Sequence, residues 1–197
     1  MAHLLGRSLT IFFGLVGLAA PAVAGTAGWA LEANVSSPSY AVVEPASTDL
    51  NVDTVVLSCE QGPARRGLQL RLYLSGAGPL APKAGAAALK DDPTVELSID
   101  GVSQTADLLF ADDFVVVADT ADGTMPLLSD ALVEKLQTGR QLKLKFDLVQ
   151  EPRGQAPSVD GSAVVDLQAG PGGRAVAAVR RCADQSTQHL AETPRGR

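Results

Sequence analysis

Leu142-Lys143-Leu144-Lys145-Phe146-Asp147-Leu148 alternates apolar and polar side chains without a break, and so does Leu68-Gln69-Leu70-Arg71-Leu72-Tyr73-Leu74. Residues two apart in a strand share a face, so each segment predicts a strand with one apolar and one wet face. Val95-Glu96-Leu97-Ser98-Ile99-Asp100 repeats the pattern, and Gly101 follows as a turn residue. Three such segments confine the chain to antiparallel sheet, because parallel strands are buried on both sides and read as continuous apolar runs. Clusters of β-branched residues between turn signals predict further strands over Val52 to Ser58, Phe114 to Val117 and Ala163 to Leu167. Trp29 to Val35 fits an edge strand.

The period changes between Leu128 and Gly139. Ala131, Leu132, Val133 and Leu136 fall at helical spacing, Ser129 or Asp130 is placed to cap the start, and Gly139 to stop it. A second short helix is expected from Gly173 to about Ala183, with Val176, Val179 and Cys182 on one side. Ser75 to Pro93 is rich in Gly, Ala and Pro; it reads as a long excursion between strands, with a helical turn through Ala86 to Leu89. Glu151 to Gly161 is a shorter loop of the same kind. The fold class that follows is mainly β, an antiparallel sandwich or partly open barrel with two short helices.

The first residues belong to a different logic. Arg7 gives a positive start, Leu9 to Ala20 form an apolar run, and Ala22-Val23-Ala24 supplies the small residues that a signal peptidase reads. Residues 1–24 are therefore expected to be a signal peptide cleaved after Ala24, residues 25–183 a single β-rich domain, and residues 184–197 a disordered tail. The apolar run is about a dozen residues, short of the roughly 20 that span a bilayer, and no later segment approaches that length. A soluble periplasmic or secreted protein is the expectation, without an integral membrane segment after cleavage.

The two cysteines, Cys59 and Cys182, fit that compartment, since oxidising environments drive thiols to pair. A bond between them closes a loop of about 120 residues, which the chain-entropy model values at about 4 to 5 kcal/mol. The formal charge of −6 becomes −7 once Arg7 leaves with the leader. Such a chain repels nucleic-acid phosphates, so no nucleic-acid partner is expected.

The polar residues supply little catalytic chemistry. Past the leader there is one histidine, His189, and it lies in the polar tail, whereas a Ser-His-Asp or Cys-His centre needs an imidazole held rigidly against its nucleophile. No enzyme activity, cofactor or metal is expected. Asp107, Asp112, Asp113, Asp119 and Asp122 form the one dense group of carboxylates. Solvated acidic turns are the first reading; calcium held by loop oxygens is an alternative, and a glycan hydrolase using carboxylates near Asp112 and Asp119 is another. Gly170-Pro171-Gly172-Gly173 leads into the last helix, where Arg174 is placed to hold an anion. Arg174, Arg180 and Arg181 on that helix are the candidate partner-binding residues, with Arg174 and Arg181 seven apart and near one face.

An exported chain with one distant pair of cysteines, a Leu-rich helix ending in Gly before an alternating strand at Leu127 to Leu148, and a final strand and helix at Ser162 to Cys182 resembles the small bacterial envelope proteins of the invasion-associated locus B type and related periplasmic proteins. The resemblance covers roughly Leu57 to Ala183 and transfers no functional residue. It implies a non-enzymatic envelope protein. The expected function is a non-catalytic exported interaction module whose partner is another envelope or extracellular protein.

Overall fold

The computed structural model describes residues 28–76, 80, 89–150 and 159–191, with backbone alone for Leu89 and 185–191. The expected leader and its cleavage site, the expected helical turn before Leu89 and most of the Glu151 loop lie outside the described residues.

Twelve strands and two helices follow in chain order. They are β1 Ala30–Leu31, β2 Tyr40–Val43, β3 Ser47–Thr48, β4 Val52–Gln61, β5 Arg66–Leu74, β6 Leu89–Ile99, β7 Val102–Phe110, β8 Phe114–Ala118, β9 Thr120–Asp122, β10 Met125–Leu127, α1 Asp130–Thr138, β11 Gln141–Val149, β12 Gly161–Asp166 and α2 Gly173–Ala191. Ten strands make one antiparallel sheet in the order β1-β2-β4-β5-β8-β7-β6-β11-β12-β3, curled into a half-barrel, while β9 and β10 form a separate hairpin. The partly open barrel is thus the form that the mainly β chain takes.

The curl follows from the pairing. After β2 on one edge the chain crosses to β3 on the other, where Ala46 N–H donates to Val164 C=O at 2.7 Å and Asp49 N–H to Ser162 C=O at 3.2 Å. It then returns as β4 beside β2. From the first edge, Trp29 N–H donates to Ala169 C=O at 3.2 Å, just past β12. Both edges are therefore tied to the β12 side, as strand tilt and closure in a barrel require.

The concave face holds the core. Val55 and Leu57 of β4, Leu70 and Leu72 of β5, Leu97 of β6 and Leu142 to Leu148 of β11 at alternate positions are all buried, and Leu132, Leu136, Val176 and Val179 of the helices cover them. Ser129 caps α1, its Oγ accepting from Leu132 N–H at 3.2 Å. Gly139 ends α1 with φ −70°, outside the left-handed region, and a Cβ there would lie 2.5 Å from Ile99 Cγ2. The glycine serves a close approach and not a left-handed cap. At the β6 to β7 hairpin, Asp100 (φ 49°) and Gly101 (φ 87°) occupy both central positions of the two-residue turn, the pattern of type I′.

Several expected boundaries moved: the edge strand expected from Trp29 to Val35 is confined to Ala30–Leu31, and the strand expected to end at Ser58 runs on to Gln61. The excursion after Ser75 ends by Leu89, because β6 begins there and carries Pro93 inside it. Pro has no N–H to give a ladder, and it lies beside the register shift between Asp147 and Val149 of β11, where none is needed. Leu80 of the excursion is fully buried, its N–H donating to Asn51 Oδ1 at 3.3 Å. The last helix, expected to stop near Ala183, runs 19 residues to Ala191 and takes in part of the expected tail. Nothing between Asp184 and Ala191 breaks a helix; the next proline is Pro194.

Candidate functional site

The convex face of β2, β4 and β5 bears a groove of about 470 Å³. Strand register builds it. Tyr40 lies opposite Ser58 and Ser58 opposite Gln69; Val42 lies opposite Val56 and Val56 opposite Arg71; Thr54 lies opposite Tyr73. These side chains alternate with the core positions and so point away from the helices. Val42 and Val56 form the apolar floor, and Tyr40 and Tyr73 occupy opposite corners, with Tyr40 39% exposed.

One cation in the groove is held rigidly. Arg71 Nε and Nη2 donate to Gln69 Oε1 at 3.0 and 2.8 Å, and Nη2 lies 2.7 Å from Glu60 Oε1. Its Cζ stands 4.9 Å from the centroid of Phe114, whose ring packs against Tyr73 at 5.3 Å. Gln69 is fixed in turn by donating Nε2 to Pro126 C=O at 2.8 Å, from the β9-β10 hairpin that folds over this end of β5. The guanidinium is charge-compensated by Glu60 and pre-oriented by Gln69, Glu60 and Phe114.

Ser58 is different. It is 6% exposed, lines the groove, and its Oγ has no hydrogen-bond partner among the described residues. A buried hydroxyl left unpaired costs about 1 to 3 kcal/mol, so the position favours whatever supplies a partner. At the rim, Glu32 accepts from Ser39 N–H and Ser39 Oγ–H, both at 2.8 Å. The backbone bond first, then the hydroxyl, holds the Glu32 carboxyl below the usual range and fixes Ser39 beside the groove.

The sequence-predicted arginines are spread over the last helix. Arg174 and Arg181 are exposed near one face, while Arg180, about 120° around the helix from Arg174, lines a cleft of about 200 Å³ with Arg65, Arg66, Asp130 and Asp184. Arg174 instead flanks an open depression with Gln137, Gln168 and Pro171. At the helix start, Arg174 N–H and Ala175 N–H already donate to Pro171 and Gly172 C=O at 3.0 and 2.8 Å. The cysteines do meet: Cys59 and Cys182 form a disulfide with a Cα–Cα distance of 6.2 Å, and Arg66 Nη1 lies 3.7 Å from Cys182 Sγ.

The aspartates do not form a common site. Asp112 precedes β8 and Asp119 follows it, so they stand at opposite ends of a strand, about 20 Å apart at the ordinary rise per residue. A glycosidase pair needs about 5 to 9.5 Å. Asp119 is no solvated turn acid either: its Oδ1 accepts from Ser129 N–H at 2.6 Å, and its Oδ2 from Ser129 Oγ–H at 2.6 Å and Gln104 Nε2 at 3.1 Å. Asp122 accepts from Ala64 N–H at 3.3 Å. Among the described residues no three His, Cys, Asp or Glu side chains converge as a metal site requires, and no helix is long and apolar enough to cross a membrane.

Compared with family models, with curated proteins and with solved structures, the chain finds no match. The geometry stands alone.

Sequence reasoning missed the groove because it took the polar positions of Leu68 to Leu74 as a wet face. Gln69 is 5% exposed, and Val56 and Val116 on the same face are 9% and 6% exposed. A signal was present in Val55-Val56-Leu57, since consecutive apolar residues in a strand mean burial on both faces.

Proposed function

We propose that this chain is a non-catalytic exported interaction module that holds another component of the envelope or extracellular space in the outer groove of β2, β4 and β5. The observation that carries this reading is the buried Ser58 hydroxyl, without a hydrogen-bond partner among the described residues, beside a pre-oriented Arg71 and two tyrosines. Apolar floors with a few fixed polar groups are how proteins build recognition sites. A disulfide tying α2 to β4 supports an oxidising compartment, and it braces the strand that forms the groove's floor.

Site-specific photo-crosslinking tests the reading. A photoreactive phenylalanine analogue in place of Tyr40 should yield adducts with envelope components, while the same group at Val102, which is 58% exposed on the β6-β7 hairpin, should not. Equal yields from the two positions, or none from Tyr40, would refute it.

A further inference from the structure

Resting on that reading, we infer that the groove takes a neutral saccharide. Where the three strands pair, from Val55 to Ser58, the N–H and C=O groups of β4 are spent in ladders with β2 and β5. An extended peptide gains its affinity from main-chain bonds at a sheet edge, and that paired floor is not an edge. Recognition falls to side chains, and those present are hydroxyls, aromatic faces, one compensated ion pair and one further carboxylate: Thr54, Ser58, Tyr40, Tyr73, Arg71 with Glu60, and the exposed Asp53, which accepts from Thr54 Oγ–H at 3.3 Å.

That set matches a polyhydroxylated ring. A pyranose has an apolar C–H face to lay on a tyrosine and hydroxyls that both donate and accept. Ser58 Oγ lacks a partner of either kind among the described residues, Arg71 directs its bonds to Gln69 and Glu60 through Nε and Nη2, and Glu60 neutralises the guanidinium charge. An anionic ligand would meet the carboxylates of Glu60 and Asp53. Tyr40 and Tyr73 are separated by four residues along a strand and two strand spacings, about 16 Å corner to corner, a span that suits more than one sugar ring.

Calorimetric titration of the protein as isolated with cellotetraose and chitotetraose, and with an oligogalacturonate as anionic control, tests this. At least one neutral probe should bind saturably, with little salt dependence. Tyr40→Ala should weaken that binding about tenfold or more with little change in melting temperature, and Tyr73→Ala should weaken it as much with a small drop in melting temperature, since it also removes the Phe114 contact. Thr54→Arg, which fills the groove from a half-buried position, should abolish it. Absence of neutral-probe binding at about 10 mM, binding of the anionic probe alone, or binding untouched by all three substitutions would overturn the inference. If Tyr40 still yields photo-adducts with a polypeptide when no saccharide binds, the interaction module survives and the saccharide falls. If neither occurs, both fall.

Discussion

Asp119 shows how much a single side chain can differ from its sequence context. In sequence it sits in an acidic stretch between Asp113 and Asp122-Gly123, and that neighbourhood reads as exposed turns. In the fold it accepts three hydrogen bonds and anchors Ser129, which itself caps α1. Asp119→Ala should therefore cost about 2 kcal/mol, lowering the melting temperature by about 4 to 8 °C, whereas Asp112→Ala at the exposed β7-β8 turn should change it little. Thermal unfolding of the two variants, followed by the emission of the one tryptophan, Trp29, checks both. The cap was legible because Ser before an apolar helical repeat has a local cause. Its support by Asp119 was not, because the contact depends on where β8 ends relative to α1.

At the scale of elements, much of the sheet could be read directly, but β2, β3 and the nine-residue β7 could not. Strands β5, β6 and β11 follow from unbroken alternation, α1 from its change of period, and the Asp100-Gly101 turn from the residues that tolerate positive φ. Cross-strand partners could not, since register is set by tertiary closure. Glu96 of β6 is one result: Lys145 of β11 donates to it at 2.9 Å and Ser103 of β7 at 3.0 Å, so it links three strands. The Lys145 bond first, then that from Ser103, draws the Glu96 carboxyl below its ordinary range. A carboxylate with a depressed folded pKa stabilises the fold above its unfolded pKa, and that contribution is lost as pH falls through the folded value. Glu96→Gln should flatten the loss of stability on acidification just below the normal glutamate range, and its effect should fade once the carboxyl is protonated in the folded state as well. Denaturant unfolding of both proteins across that range measures it, and parallel pH profiles would count against the linkage. The groove belongs to this scale too. Its walls come from three strands and its rigid arginine from a hairpin folded over β5, so no single segment carries its signature.

Across the whole molecule, the disulfide is the feature that sequence and structure share most plainly. Two cysteines behind a leader-like start implied a bond, and the half-barrel brings Cys59 at the end of β4 against the inward face of α2. The bond closes a loop of separation 123, so its reduction should remove about 4 to 5 kcal/mol of stability, read as a drop in the urea midpoint. Two titratable thiols in the unfolded, unreduced protein would contradict it. The partner face was the harder inference, because a chain with 4% aromatic residues gives few landmarks, and the arginines of α2 drew notice first. The fold separates Arg180 from Arg174 and Arg181 and gathers two tyrosines from β2 and β5, distant in sequence. The decisive measurement sets these surfaces against each other by capture of envelope components on two variants, Tyr40→Ser with Tyr73→Ser and Arg174→Ser with Arg181→Ser. The tyrosine pair should lose about tenfold or more of what the native protein retains while still folded at the assay temperature, and the arginine pair should keep it at an unaltered melting temperature; full capture by the tyrosine pair and loss by the arginine pair would place the partner on α2 and refute the groove.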